Sequence, residues 1–332
     1  MHTPNLINPI KIDIEESDIN ENSLRPQDLA EFIGNENEKK GIRIMIDSAQ
    51  KRNDVLDHVL ISGPPGLGKT SLANIIAREM GSQIVTTSGP AIERQGDLAA
   101  LVSGIEAGGI LFIDEVHRLN HSVEEILYPA MEDRALDIII GKGASAKSLR
   151  IDLPKFTIIA ATTQVGKMSS PLRDRFGVHF KLDFYTVREL VELIFQKAGV
   201  LKIKINAEGA KEIANRARGT ARIAVRLLKR VRDLLEVEGK DIIDEVIADK
   251  ALKMFEIDEF GLSSLDRKIL NHIYYDFDGG PVGLSTICAT ISEEQNTLLD
   301  FYEPYLLQAG FIQRTPRGRV ITLKGIKHIK NS

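Results

Sequence analysis

The 332-residue sequence contains a single cysteine, Cys288, so no disulfide can form within the chain and a reducing compartment is expected. Its neighbours, Thr286-Ile287-Cys288-Ala289, read as an apolar helical stretch, which predicts buried packing rather than a reactive thiol. No apolar run approaches the ~18 residues of a membrane span, and the N-terminus has no signal-like apolar core. The expectation is a cytoplasmic protein with no membrane partner. Basic charge is not in surplus either: 43 Lys and Arg against 47 Asp and Glu leave a net charge of −4, so any nucleic-acid surface must be local. What is present is enough apolar material, 43% of residues, to fill the cores of two or three domains.

The stretch that organises the chain is Gly63-Pro64-Pro65-Gly66-Leu67-Gly68-Lys69-Thr70, which fits G-x-x-x-x-G-K-[ST]. Glycines let backbone N–H groups curl around a triphosphate, Lys69 neutralises the β and γ oxygens, and the Thr70 hydroxyl ligates Mg²⁺. An apolar run, Val59-Leu60-Ile61, precedes it as a strand. Leu72, Ile75, Ile76 and Met80 follow at helical spacing until Gly81, so a helix N-terminus faces the phosphates.

Residues 1 to 22 show no sustained period and read as a mobile lead-in. Pro26 blocks a regular helix until Asp28, where one is expected to start. Further on, Ile110-Leu111-Phe112-Ile113 reads as a strand buried on both faces with Asp114 and Glu115 at its C-terminal end, where open α/β sheets bind ligands. Asp114 can hold the Mg²⁺ shell and Glu115 can polarise an attacking water; alternatively the pair caps a helix. Phe156 to Ala161 is another buried strand. It ends in Thr162-Thr163, whose hydroxyls are placed to sense or orient the lytic water, with Thr162 taken as the site residue.

Between these strands, Leu136 to Leu153 reads as a hairpin with unusual apolar surface, either buried against its own domain or docked on a partner. Strands alternating with helices from Val59 to Phe184 predict an α/β domain with a mainly parallel sheet. Residues 186–256 read as helical. Residues 257–332 read as helices ending in a basic hairpin, a winged helix, with Arg314, Arg317, Arg319, Lys324, Lys327 and Lys330 after the last acidic residue, Glu303. Such a patch suits DNA phosphates, or is a solvated tail.

The ordered set Gly-Pro-Pro-Gly-Leu-Gly-Lys-Thr, Leu-Phe-Ile-Asp-Glu-Val-His-Arg-Leu, Leu-Tyr-Pro-Ala-Met-Glu-Asp, Ser-Pro-Leu-Arg-Asp-Arg-Phe-Gly, Arg-Gly-Thr-Ala-Arg-Ile-Ala and Arg-Thr-Pro-Arg-Gly-Arg closely resembles the RuvB family, Holliday junction branch-migration ATPases of the AAA+ superfamily. The resemblance runs from about Leu24 to Thr322. It implies a flexible lead (1–23), a large AAA+ ATPase domain (24–185), a small helical lid (186–256) and a winged-helix head (257–332). It also implies ATP or ADP with Mg²⁺ as cofactors, a homohexameric ring on duplex and Holliday junction DNA, RuvA docked on the 136–153 hairpin, and RuvC in a larger complex.

By the same resemblance Gly66, Gly68, Lys69, Thr70 and Ser71 contact phosphate, and Leu24, Arg25 and Tyr185 line the adenine pocket. Arg222 acts as a second sensor, and Arg175 is the arginine finger of the neighbouring subunit. Glu132, Asp133 and Arg134 lie near the nucleotide at the subunit boundary, and Arg314 and Arg319 contact DNA. Arg134 stands where an aromatic is common, Gln164 where Arg is frequent, and Ala221 where Pro is usual. Two rival readings of an ATP site with a basic tail are a clamp-loader-like switch and a nucleotide-gated DNA-binding regulator; the complete Asp114-Glu115 pair argues against the second.

Overall fold

The computed structural model describes residues 21–140 and 147–331. The expected lead-in over 1–20 and the tip of the expected hairpin, 141–146, lie outside the described residues.

Strands of continuous apolar residues form the centre of the first domain. They are β1 (Val59–Ser62), β2 (Ile84–Ser88), β3 (Ile110–Asp114), β6 (Thr157–Thr162) and β7 (Val178–Lys181), while β4 (Ala135–Ile140) and β5 (Lys147–Asp152) make a separate antiparallel hairpin. The five-stranded sheet runs β2-β3-β6-β1-β7 and every pairing is parallel. A parallel pairing requires a crossover, and most of these are helical: α2 (Lys69–Glu79) after β1, α3 (Gln95–Ser103) after β2, α4 (His121–Glu132) after β3 and α5 (Ser170–Asp174) after β6, with α1 (Glu36–Arg52) ahead of the sheet.

Successive residues of the central strands point to opposite faces. Ile61, Phe112 and Ile159 pack with α1 and α2, whereas Leu60, Leu111, Ile113 and Ile158 pack with α3 and α4. The C-terminal ends of β1, β3 and β6 therefore meet at one edge, with Ser62 in register with Thr162.

The first apolar layer continues into a helical unit of α6 (Val187–Val200), α7 (Ala207–Arg216), α8 (Ala221–Val237) and α9 (Glu245–Met254). Thr186 and Glu189 close a capping box at the start of α6. The last unit has its own core around Ile269, Ile287, Leu306 and Phe311. It consists of α10 (Ser264–Asn271), the helix Leu284–Ile291 that buries Cys288, the helix Glu303–Gln308, the hairpin of β8 (Ile312–Thr315) and β9 (Gly318–Ile321), and a final helix Leu323–Asn331.

The helical unit and the head are joined by buried charge. Arg218 donates from Nε to Gly261 O at 2.7 Å and pairs its guanidinium with Asp266, which is wholly buried and closes the capping box of α10 with Ser263.

Two local expectations are corrected. No helix begins at Asp28: its Oδ1 accepts from Glu31 N at 2.8 Å in a turn, and α1 starts only at Glu36 because Gly34 and Asn35 both take left-handed backbone, φ 77° and 50°. Strand β7 is an unexpected addition. Its Val-His-Phe-Lys pattern buries only alternate residues at the sheet edge, so it has no apolar run to reveal it.

Candidate functional site

The phosphate loop hangs between β1 and α2 in a shape only glycine permits at two points. Gly63 has φ 146°, and a Cβ there would sit 2.5 Å from Leu182 O. Gly68 has φ 96° and faces the Phe32 ring, whose Cε2 would lie 2.9 Å from an added Cβ. Lys69, the first residue of α2, is 7% exposed and donates from Nζ to Gly63 O (2.8 Å) and Pro64 O (2.9 Å). Burial lowers its pKa to about 8, while Asp114 and Glu115 pull it back upward. A buried ammonium bonded to two carbonyls at a helix N-terminus is the donor set a triphosphate needs.

Across the sheet edge, Thr70 Oγ1 donates to Asp114 Oδ2 at 3.3 Å, so a hydroxyl and a carboxylate converge beside the loop. Among the described residues no cluster of three or more His, Cys, Asp or Glu could hold a metal alone. The Thr70 hydroxyl and Asp114 carboxylate are hard oxygen donors of the kind Mg²⁺ takes one or two of, with phosphate and water completing its shell. Glu115 sits in left-handed backbone, φ 50°, and makes no side-chain cap to the short turn that follows, so the capping alternative is not realised. Burial, with Asp114 second, raises the Glu115 pKa.

Glu115 is held by its neighbours. Thr163 Oγ1 donates to its Oε2 at 3.4 Å, and His117 Nε2 lies 3.3 Å from the same oxygen. Thr162, completely buried, places Oγ1 2.9 Å from His117 Nδ1 and accepts the Gln164 N–H at 3.0 Å. Burial lowers the His117 pKa, favouring the neutral ring; in the tautomer whose Nδ1 accepts the hydrogen bond of the Thr162 hydroxyl, the ring N–H is at Nε2 and faces Glu115. Thr162 thus acts on His117, while Thr163 is the hydroxyl that reaches Glu115.

On the opposite side, Arg222 N donates to Gly66 O at 3.2 Å, bringing the start of α8 onto the loop. Tyr185 is buried and its hydroxyl donates to Leu67 O at 3.1 Å; burial pushes its pKa up. Leu24 and Phe32 share the core of Tyr185, whereas Arg25 is exposed. Ser71 is half-buried in the first turn of α2.

The model of the Holliday junction DNA helicase RuvB P-loop domain matches residues 24–182, that of the RuvB AAA lid domain residues 185–258, and that of the RuvB C-terminal winged-helix domain residues 259–330. The chain belongs to the RuvB family. Among solved structures, a lysine-to-arginine mutant of Thermotoga maritima RuvB is 50% identical over 93% of this chain and 98% of its own, with a TM-score of 0.87. The structure described as the Thermotoga maritima RuvB Holliday junction branch migration motor is 50% identical over 92% and 98%, with a TM-score of 0.85. The RuvB assignment makes this chain a P-loop AAA+ ATPase with a lid and a winged-helix domain.

Other expected site residues of this RuvB chain stand away from the loop. Arg175, at the end of α5, pairs with Glu132 (Nε to Oε1, 3.1 Å), donates to Pro171 O (2.7 Å) and lies 4.2 Å above the Tyr128 ring. Asp133 and Arg134 are exposed just beyond, Arg134 with φ 53°. The base of the 136–153 hairpin is buried against its own domain through Leu136 and Leu153; the outer apolar side chains lie outside the described residues.

In the head, β8 and β9 set Arg314 opposite Arg319, and both converge on Glu303, which is 1% exposed. Arg319 is nearly enclosed, while Arg314 keeps 55% of its side chain exposed. Sequence reasoning missed Phe32, His117, Asp266 and the clamping role of Glu303, and of the two hydroxyls that end β6 it singled out Thr162 rather than Thr163. Only His117 had a visible signal, two positions past the acidic pair.

Proposed function

We propose that the chain hydrolyses ATP to drive branch migration of Holliday junctions, working as a homohexameric ring with RuvA docked on the 136–153 hairpin and RuvC joining a larger complex in the cytoplasm. The observation that carries this is the convergence, on one sheet edge, of a buried Lys69, a Thr70–Asp114 pair and a restrained Glu115, with the lid's Arg222 touching the same loop.

Magnesium-bound ATP supplies the bond that is cleaved and a divalent charge against which the phosphates are set. Gly66, Gly68 and Ser71 with the start of α2 cradle the phosphates, and Lys69 neutralises charge as it builds on them. Thr70 and Asp114 orient the cation. Glu115 takes the proton of the attacking water, its raised pKa placing it nearer the working pH. Leu24 and Tyr185 enclose the base with Arg25 at the rim, and Arg175 of one subunit completes the site of the next beside Glu132, Asp133 and Arg134. Movement of α8 against the loop then turns the domains, and Arg314 and Arg319 carry that movement to DNA.

The test is ATP turnover and junction movement measured together on a synthetic four-way junction, with and without RuvA. Junction-stimulated turnover with strand exchange is expected from the native protein and neither from Lys69→Ala. A native protein that hydrolyses ATP without moving any junction would favour the clamp-loader-like reading.

A further inference from the structure

The restraint on Glu115 does not end in its own domain. Gln164, whose backbone N–H bonds Thr162, donates from its side-chain Nε2 to Asp300 Oδ1 of the head at 2.8 Å. An unbroken run of polar contacts therefore links the head to the general base: Asp300 to Gln164 at 2.8 Å, Gln164 to Thr162 at 3.0 Å, Thr162 to His117 at 2.9 Å, and His117 to Glu115 at 3.3 Å. The sites it joins are 136 residues apart in sequence at Asp300 and Gln164. Four of the five members are half-buried and Thr162 is wholly buried, where such bonds are costly to leave unmade.

We propose that His117, Gln164 and Asp300 are positioning residues through which the seated head holds Glu115 back from water. With Asp300 on Gln164, the turn after β6 fixes the Thr162 hydroxyl on His117, and the His117 Nε2 proton occupies the Glu115 oxygen that must accept a proton from water. When DNA draws the head away, Gln164 loses its partner, the turn that carries Thr162 and Thr163 relaxes, and Glu115 is released from both of its donors, His117 and Thr163. The step needs no new chemistry: a hydrogen bond to Glu115 is exchanged for one from the attacking water. The inference rests on the hydrolytic role proposed for Glu115.

The experiment uses the full chain and measures kcat and KM for ATP with and without duplex DNA. Asp300 is partly exposed, so Asp300→Ala is expected to fold. It should raise DNA-free kcat about 5-fold or more, the lower end of typical intramolecular coupling, leave KM unchanged, and shrink stimulation by DNA by the same factor. Asp300→Asn keeps the acceptor oxygen and removes the charge. It should behave as the native chain, whereas an effect of charge alone would make it resemble Asp300→Ala and overturn the relay. His117→Ala should raise DNA-free kcat as well, and adding Asp300→Ala to it should change nothing further; additive effects would show two separate routes and sink the proposal. An unchanged or reduced DNA-free kcat in Asp300→Ala would also overturn it. A native chain with no ATP turnover at all would instead fail the hydrolytic reading itself.

Discussion

Lys69 is under two opposing demands. It must be charged to meet phosphate, yet it is buried, and burial draws its pKa down to about 8. Its neutral form thus gains as pH rises through 8, and phosphate contact favours the charged form, so ATP binding should take up a proton there. Affinity for ATP is expected to weaken from pH 8 toward the ordinary lysine value of ~10.4, with proton uptake read by calorimetry in two buffers of different ionisation enthalpy; an affinity flat across that window would contradict the burial argument. Glu115→Gln keeps shape and loses the base. It should retain ATP binding while kcat falls roughly 10²–10⁴-fold in single-turnover assays. These two residues were legible because the chemistry fixes their spacing within a short motif. His117 was not, because its meaning depends on Thr162, 45 residues later, folding back beside it. The exchange of Thr162 for Thr163 as the hydroxyl nearest Glu115 has a similar origin: which of two adjacent side chains faces the site is settled by the strand's alternation and register.

At the scale of elements, the wing separates two arginines that look equivalent in sequence. Arg319 is tied bidentately to Glu303 and nearly enclosed, so Arg319→Ala strips a buried carboxylate of its main partner and should destabilise the head by about 3 kcal/mol, read by chemical denaturation. Arg314 also touches Glu303 but leaves most of its side chain to solvent. Arg314→Ala should change stability little, weaken duplex binding, and lower the salt slope of that binding by about one unit. Equal loss of stability in both variants would remove the distinction. Central strands and amphipathic helices were legible from their periods. Strand β7 and the turn at Asp28 were not, because one is an edge strand with half its residues in water and the other is decided by left-handed Gly34 and Asn35 rather than by the proline before it.

Across the whole molecule, Arg175 leans on Glu132 and the Tyr128 ring at the end of α4 and α5, away from the loop of its own chain. If it completes a neighbour's site, Arg175→Ala should bind ATP normally and lose hydrolysis, and mixing it with Glu115→Gln should recover part of the turnover. Mixed rings with no more activity than either variant would exclude a shared site. The three-part organisation was legible because composition changes along the chain, but the joints between parts were not, since each is a contact among residues that are ordinary where they stand. One joint governs how the machine can flex. The guanidinium of Arg218 is enclosed with a carboxylate that has no water to fall back on, and four residues later the same chain rests on the phosphate loop. Swivelling the winged-helix module away from the lid would strand that carboxylate, so lid and module travel as a single stiff limb. The protein then has one hinge rather than two, and a small tilt near the nucleotide becomes a long sweep at the wing.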